Sequence, residues 1–195
     1  MLYHIYVFYK VIKDKIYQKC IDYYYSNYVK VERLDDTIVP SAFNDMYNLF
    51  TNPTHIIDNI YIGNAYNAAD YYTLKKLGIK KIVNVSQEIS NYFPSEFEYY
   101  NIKVLDNEDG RLKPHYNKFI SFTNQSNKSD DNKDNNILVH CFMGSSRSAT
   151  LVVLYLMRNH HMTFEDAYKF IKNKRNIVNL NTMFAKELIT SQYEI

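Results

Sequence analysis

The segment that most constrains this chain is His140-Cys141-Phe142-Met143-Gly144-Ser145-Ser146-Arg147-Ser148, set between an aliphatic run at 137–139 and a long apolar stretch at 149–157. An apolar strand that passes straight into a helix leaves its connecting loop lying over the helix N-terminus. Gly144, Ser145 and Ser146 are small enough for the backbone to curl, so that successive N–H groups converge. Such a nest on a helix N-terminus favours a dianion. The same positive field favours a thiolate at Cys141. Arg147 returns over the loop, where its planar fork can hold two phosphate oxygens. Most free cysteines are inert, buried side chains. Packing alone does not explain one that comes with a basic fork, a small-residue loop, a preceding His and a following Ser. The loop reads as a catalytic site for a phosphorylated substrate.

The rest of the chain supplies a scaffold for that loop. At 195 residues it can form one good core but not two comfortable domains. From His55 onward, strands are expected at 60–62, 81–85, 99–104 and 137–140, and helices at 71–77, 114–123, 147–159, 163–174 and 182–191. Pro114 suits a first helical turn and Gly78 a helix end. This alternation predicts an α/β fold, a central mixed, largely parallel sheet of four to five strands flanked by helices. Residues 124–136 (NQSNKSDDNKDNN) contain no apolar anchor and are expected to form a disordered loop. Residues 1–54 read as a helical extension. There Leu2, Ile5, Tyr6, Tyr9, Ile12, Ile16, Cys20, Tyr23 and Tyr24 recur at helical spacing, and Ser41 caps a short helix running to Leu49. The extension either docks a partner, a second copy or a membrane surface, or covers the core.

Composition narrows the partners. A formal charge of +2 gives no bulk attraction to nucleic acid or anionic lipid. The apolar start, 1–11, carries His4 and Lys10, is shorter than the ~20 residues of a span, and lacks signal-peptide features. Leu2 replaces the glycine that myristoylation needs, and no C-terminal Cys is available for prenylation. No nucleic-acid partner and no stable membrane insertion are therefore expected, and the oligomeric state is left open. Two cysteines, Cys20 and Cys141, make no disulfide framework, and a required thiolate implies a reducing, cytoplasmic setting (a host cytoplasm or virion for a viral chain). Cys20 could resolve an oxidised Cys141, although packing explains it as well. His160-His161 lacks metal-ligand spacing, so neither metal nor cofactor is expected.

The HCFMGSSRSA string resembles the signature loop of the cysteine-dependent protein tyrosine phosphatases, in the HCxxGxxRSA form of the dual-specificity branch. Segments 60–64 with 68–70, 77–85, 99–106, 155–157, 164–168 and 181–188 are similar to that family as well, with Leu180 where many members have proline. The resemblance implies a protein tyrosine phosphatase-like fold and a catalytic domain over 55–195. It implies Cys141 as nucleophile, with Phe142, Met143, Gly144, Ser145, Ser146 and Arg147 holding the phosphate. Ser148 would help the thiolate leave, unless it only caps the helix, and His140 would order the loop in a supporting role. Departure of the leaving oxygen needs a nearby acid. Asp106, at a strand end before the Pro114 helix, matches the family's acid, and Glu108 and Asp109 in the same loop are the alternatives.

Loop chemistry also bears on the substrate. Relatives acting on inositol lipids or RNA 5′ ends usually carry Lys, His or Asn in the loop, whereas Phe142, Met143, Ser145 and Ser146 are neutral. That favours phosphoprotein substrates, phosphotyrosine together with phosphoserine or phosphothreonine. The segment by which tyrosine-only relatives build a deep cleft has only Asn91-Tyr92-Phe93-Pro94 as a weak counterpart, which implies a shallower pocket. The alternatives are a phosphatase of non-protein substrates (RNA 5′ ends or phosphoinositides) and a non-catalytic phosphoprotein-binding module. The presence of Cys141, Arg147 and Asp106 together speaks against the second.

Overall fold

The computed structural model of this chain describes residues 52–125 and 135–192, together with Lys15, Gln18 and Lys19, which are helical and exposed. Five strands, β1 (Thr54–Ile57), β2 (Ile60–Gly63), β3 (Ile79–Asn84), β4 (Glu98–Asn101) and β5 (Asn136–His140), form one sheet in the order β1-β2-β5-β3-β4. β1 pairs antiparallel with β2, and every other pair is parallel. The sheet is thus mixed and largely parallel, as the alternation predicts. The last strand of the chain occupies its centre. This explains why Ile137, Leu138, Val139 and His140 are all buried, and why β5 reads as a continuous apolar run rather than an alternating one.

Both faces of the sheet are covered. Side chains alternate across a strand, so Ile137, Val139 and Val83 join one apolar cluster while Leu138 and Ile82 join another. The smaller cluster is closed by α1 (Ala65–Ala68) and α2 (Tyr71–Lys76), through Ala68 and Leu74. The larger one is closed by α3 (Tyr116–Asn124), α4 (Arg147–Asn159), α5 (Phe164–Lys174) and α6 (Thr182–Gln192). A short 3-10 turn, Lys113–His115, leads into α3. Every residue of α4 from Arg147 to Met157 is buried. A helix apolar on all sides belongs at the centre of a core, and α4 is the helix that begins at the phosphate-type loop. Its far end is tied to the β1–β2 turn by Asp58, whose Oδ2 accepts from Tyr155 Oη at 2.8 Å and contacts His160 Nε2 at 2.8 Å.

The parallel register brings the site together. Gly63 of β2 and Asn84 of β3 both pair with His140 of β5, so the three strands end at one level and their following loops share one edge of the sheet. Ligands in open α/β sheets bind at that edge.

Two elements were not expected, β1 and α1. Each has only four residues. The strand predicted at 99–104 ends at Asn101, because its partner β3 stops at Asn84. A last bond from Ile102 N–H to Asn84 O (2.9 Å) follows, and the chain then runs free of the sheet as the loop carrying Asp106. Most of the predicted helices within 1–49, and residues 126–134 of the predicted 124–136 loop, lie outside the described residues. Among the described residues no helix is long and apolar enough to cross a membrane.

Removing side-chain volume from α4 should be felt by the whole domain. Leu156 is fully buried in the larger cluster, and Leu156→Ala is expected to lower stability by about 2–5 kcal/mol, read as a shift of the urea unfolding midpoint.

Candidate active site

The loop between β5 and α4 is held from outside by its carbonyls. Phe142 O accepts from Ala65 N–H (3.0 Å), and Ser145 O accepts from Asn179 N–H (2.9 Å). Arg175, just past α5 and fully buried, donates Nε to Gly144 O (2.8 Å) and Nη2 to Met143 O (3.3 Å), while its Nη1 reaches Thr54 Oγ1 (3.0 Å). In a planar trans peptide the C=O and the next N–H point in opposite directions. Drawing the carbonyls of 142 to 145 outward therefore turns the N–H groups of 143 to 146 inward. Gly144 N–H donates to Cys141 Sγ at 3.2 Å. Among the described residues, the N–H groups of Met143, Ser145 and Ser146 donate to no protein acceptor. The curl demands glycine at 144, where φ is +70° and a Cβ would stand 2.5 Å from Gly63 O.

Cys141 is buried, with Sγ 3.3 Å from Ser148 Oγ. Burial lowers the pKa of Arg175 to about 10, partly offset by the charge of Cys141, so Arg175 stays cationic at neutral pH. His140, in the last position of β5, is completely buried, and burial pushes its pKa down to about 4 despite the backbone contact of Nδ1 with Cys141 O. It is neutral at pH 7.

Arg147 shows how its fork is shared. Glu88, from the loop after β3, takes the Nη1/Nη2 end, with bonds of 2.9 and 2.7 Å. Nη1 also donates to Val104 O at 3.2 Å. What remains open is Nε, which has no hydrogen-bond partner, and one hydrogen of Nη2. Those two donors form the edge that can take two oxygens of a phosphoryl group side by side. Burial alone would raise the pKa of Glu88, but the hydrogen bonds and charge of Arg147 outweigh it and hold the carboxyl below its usual range. Burial alone would lower the pKa of Arg147, and the charges of Cys141, Glu88 and Asp106 raise it instead.

Asp106 completes the group. Its Oδ1 accepts from Ser146 Oγ at 2.8 Å, and its Oδ2 lies 3.6 Å from Arg147 Nε. Glu88, Leu105, Asp106, Phe142, Met143, Ser145 and Arg147 line one pocket of about 320 Å³. The residues singled out in the sequence thus converge, His140 and Ser148 as buried neighbours of Cys141. Of the three acids considered after β4, only Asp106 lines the pocket. Glu108 and Asp109 are exposed beyond a turn held by Asn107 Oδ1, which accepts from Asp109 N–H and Gly110 N–H. Sequence reasoning missed Glu88 and Arg175. Glu88 stands just past a strand end that the parallel register brings level with the loop. Arg175 looks like one more cation in the basic last turn of α5, and nothing local shows that it is buried. Among the described residues no three His, Cys, Asp or Glu side chains are grouped to hold a metal ion.

Residues 60–194 match the family of the dual specificity phosphatase catalytic domain. Over 142 residues the chain is 39% identical to protein phosphatase Slingshot homolog 1 of Mus musculus, covering 73% of this chain and 13% of that protein. Over 143 residues it is 33% identical to dual specificity protein phosphatase 1 of Homo sapiens, covering 73% of this chain and 38% of that protein. The chain therefore spans well under half the length of these curated relatives. The crystal structure of human DUSP28 has the same fold, with a TM-score of 0.67 at 21% identity over 73% of this chain and 93% of that one.

Burial of a neutral His140 makes stability depend on pH. Its folded pKa of about 4 lies below the ordinary 6.5, so between those values the unfolded chain binds more protons and stability falls as pH drops. This contribution is fully present above pH 6.5 and is lost on acidification toward pH 4, on the order of a few kcal/mol. Chemical unfolding of wild type and His140→Asn between pH 7.5 and 4 is expected to show a shallower slope in the variant.

Proposed function

This chain belongs to the dual specificity phosphatase family, and we propose that it hydrolyses phosphotyrosine and phosphoserine or phosphothreonine in proteins through a cysteinyl-phosphate intermediate. The observation that carries this reading is a pocket lined by the carboxyl of Asp106 and by Arg147, with its open Nε/Nη2 edge, beside a loop whose N–H groups turn inward around the buried Cys141 sulfur.

In the first step the Cys141 thiolate attacks phosphorus in line with the leaving oxygen, and Asp106 gives that oxygen a proton as the P–O bond breaks. Arg147 and the N–H groups of Met143, Ser145 and Ser146 hold the equatorial oxygens, whose charge they match throughout. In the second step Asp106 takes a proton from water, which attacks phosphorus and releases the thiolate. Ser148 Oγ, 3.3 Å from Sγ, donates to the sulfur as its charge returns. Glu88 is a positioning residue, because its two bonds set the plane of the Arg147 fork.

Specificity for proteins over lipids or RNA ends is supported by the lining. Leu105, Phe142 and Met143 are apolar, and the one cation lining the pocket, Arg147, is already shared with Glu88 and Asp106. Such a site suits one phosphoryl group on a side chain better than a polyanion.

Phosphate release from a peptide bearing phosphotyrosine and phosphothreonine, in EDTA and fresh reductant, tests the proposal. Release from both positions is expected in wild type and none in Cys141→Ser. Asp106→Ala should lose about 10²–10⁴-fold in kcat, and Glu88→Gln should lose about tenfold in kcat/KM, chiefly through KM. Intact peptide bound tightly by wild type without release would make the chain a binding module. Release from inositol phospholipids or RNA 5′ ends with none from peptides would move the substrate class.

A further inference from the structure

Four hydrogen bonds at and next to Asp106 bear on which carboxyl oxygen can carry a proton. Asn181 N–H can only donate, and it donates to Ser146 Oγ at 3.1 Å. Ser146 Oγ is therefore an acceptor on that side, and toward an ionised carboxylate it donates its single hydrogen to Asp106 Oδ1 at 2.8 Å. The side chain of Asn181 is oriented in the same way. Its Oδ1 accepts from Met183 N–H at 2.8 Å, so its Nδ2 is the atom presented to Asp106 Oδ1, at 3.5 Å. Two donors thus point at Oδ1. A proton on that oxygen would face both of them. Oδ2 meets no such donor set, and it lies 3.6 Å from Arg147 Nε, on the open edge of the fork.

We propose that Ser146 is a positioning residue that keeps Oδ1 of Asp106 an acceptor and so confines the transferable proton to Oδ2, the oxygen beside the phosphoryl site. The inference rests on the assignment of Asp106 as the acid. As a lone pair of Cys141 Sγ forms the S–P bond, the electrons of the breaking P–O bond pass to the leaving oxygen, which takes the proton from Oδ2. When water then attacks phosphorus, its proton returns to Oδ2 and the S–P electrons return to sulfur. Through both steps Oδ1 stays bound to the Ser146 hydroxyl, so the carboxyl does not have to rotate between them. Ser146 belongs to the loop and docks the segment before α6, which lets one hydroxyl set the acid against the phosphate cradle.

A series of aryl phosphates with leaving phenols of rising basicity distinguishes this role from a structural one. Wild type should depend little on the leaving group, because the proton is supplied. Asp106→Ala should lose most on the most basic phenol and least on the most acidic. Ser146→Ala should repeat that pattern at smaller size, about tenfold on the basic phenol and under about twofold on the acidic one. Inhibition by inorganic phosphate should stay within about twofold of wild type, and Ser146→Thr, which keeps the hydroxyl, should restore the flat dependence. In Asp106→Ala, adding Ser146→Ala should cost nothing further on the basic phenol, since the two act as a unit. A loss in Ser146→Ala that is uniform across the series, or that follows weakened phosphate binding, overturns the proposal in favour of loop support. A flat series in Asp106→Ala overturns the acid assignment itself, and the proposal falls with it.

Discussion

The site depends on how the carbonyls of one short loop are disposed of. A loop that is to bind a dianion must point its N–H groups inward, and each planar peptide then sends a carbonyl outward into protein, where it needs a donor. Here the donors come from distant parts of the chain. Ala65 N–H follows β2, Asn179 N–H precedes α6, and Arg175 supplies two bonds from the end of α5. An arginine is suited to the two adjacent carbonyls of Met143 and Gly144 because its donors are held in one rigid plane. Its charge is buried, and burial lowers its pKa to about 10. The cation beneath the loop adds to the positive field around Cys141. The fold and the chemistry thus share the same bonds.

Charge is arranged with equal care on the open side. Arg147 is buried, and a buried cation needs partners. Glu88 and Val104 O satisfy the end of the fork away from the phosphate edge, which stays open. Asp106 approaches that edge without a close bond, at 3.6 Å. A carboxylate bound tightly to Nε would compete with the phosphoryl oxygens, while one too far away could not deliver a proton. The hydroxyl of Ser146 holds it between these limits. Leucine, phenylalanine and methionine line the remaining wall and limit water around the charges.

The position of α4 makes the arrangement rigid. Its N-terminus closes the loop, its body is the centre of the larger core cluster, and its end is tied through Tyr155 and His160 to the turn between β1 and β2. Movement of the loop relative to the sheet would disturb packing along the whole helix. A preorganised cradle pays its reorganisation on folding rather than during the reaction.

Local pattern alone determined the strand-loop-helix unit around Cys141 and the α/β class with its largely parallel sheet, and with the family resemblance it pointed to the loop residues and to Asp106. These signals are short in range: aliphatic runs, helical spacing, small residues beside a cysteine and an arginine. The same pattern did not show β1 or α1, nor could it end β4 at Asn101, which depended on where its partner strand stops. Only the tertiary structure shows that Asp106, preferred in the sequence over Glu108 and Asp109, is the one of the three that lines the pocket. It also brought in Glu88 and Arg175, which look like ordinary surface charges until the register of three parallel strands places one beside the fork and the packing of α5 buries the other under the loop. Residue type fixes what a side chain can do. Contacts across 31 residues for Arg175 and 59 for Glu88 are set by chain packing, and no local window contains them.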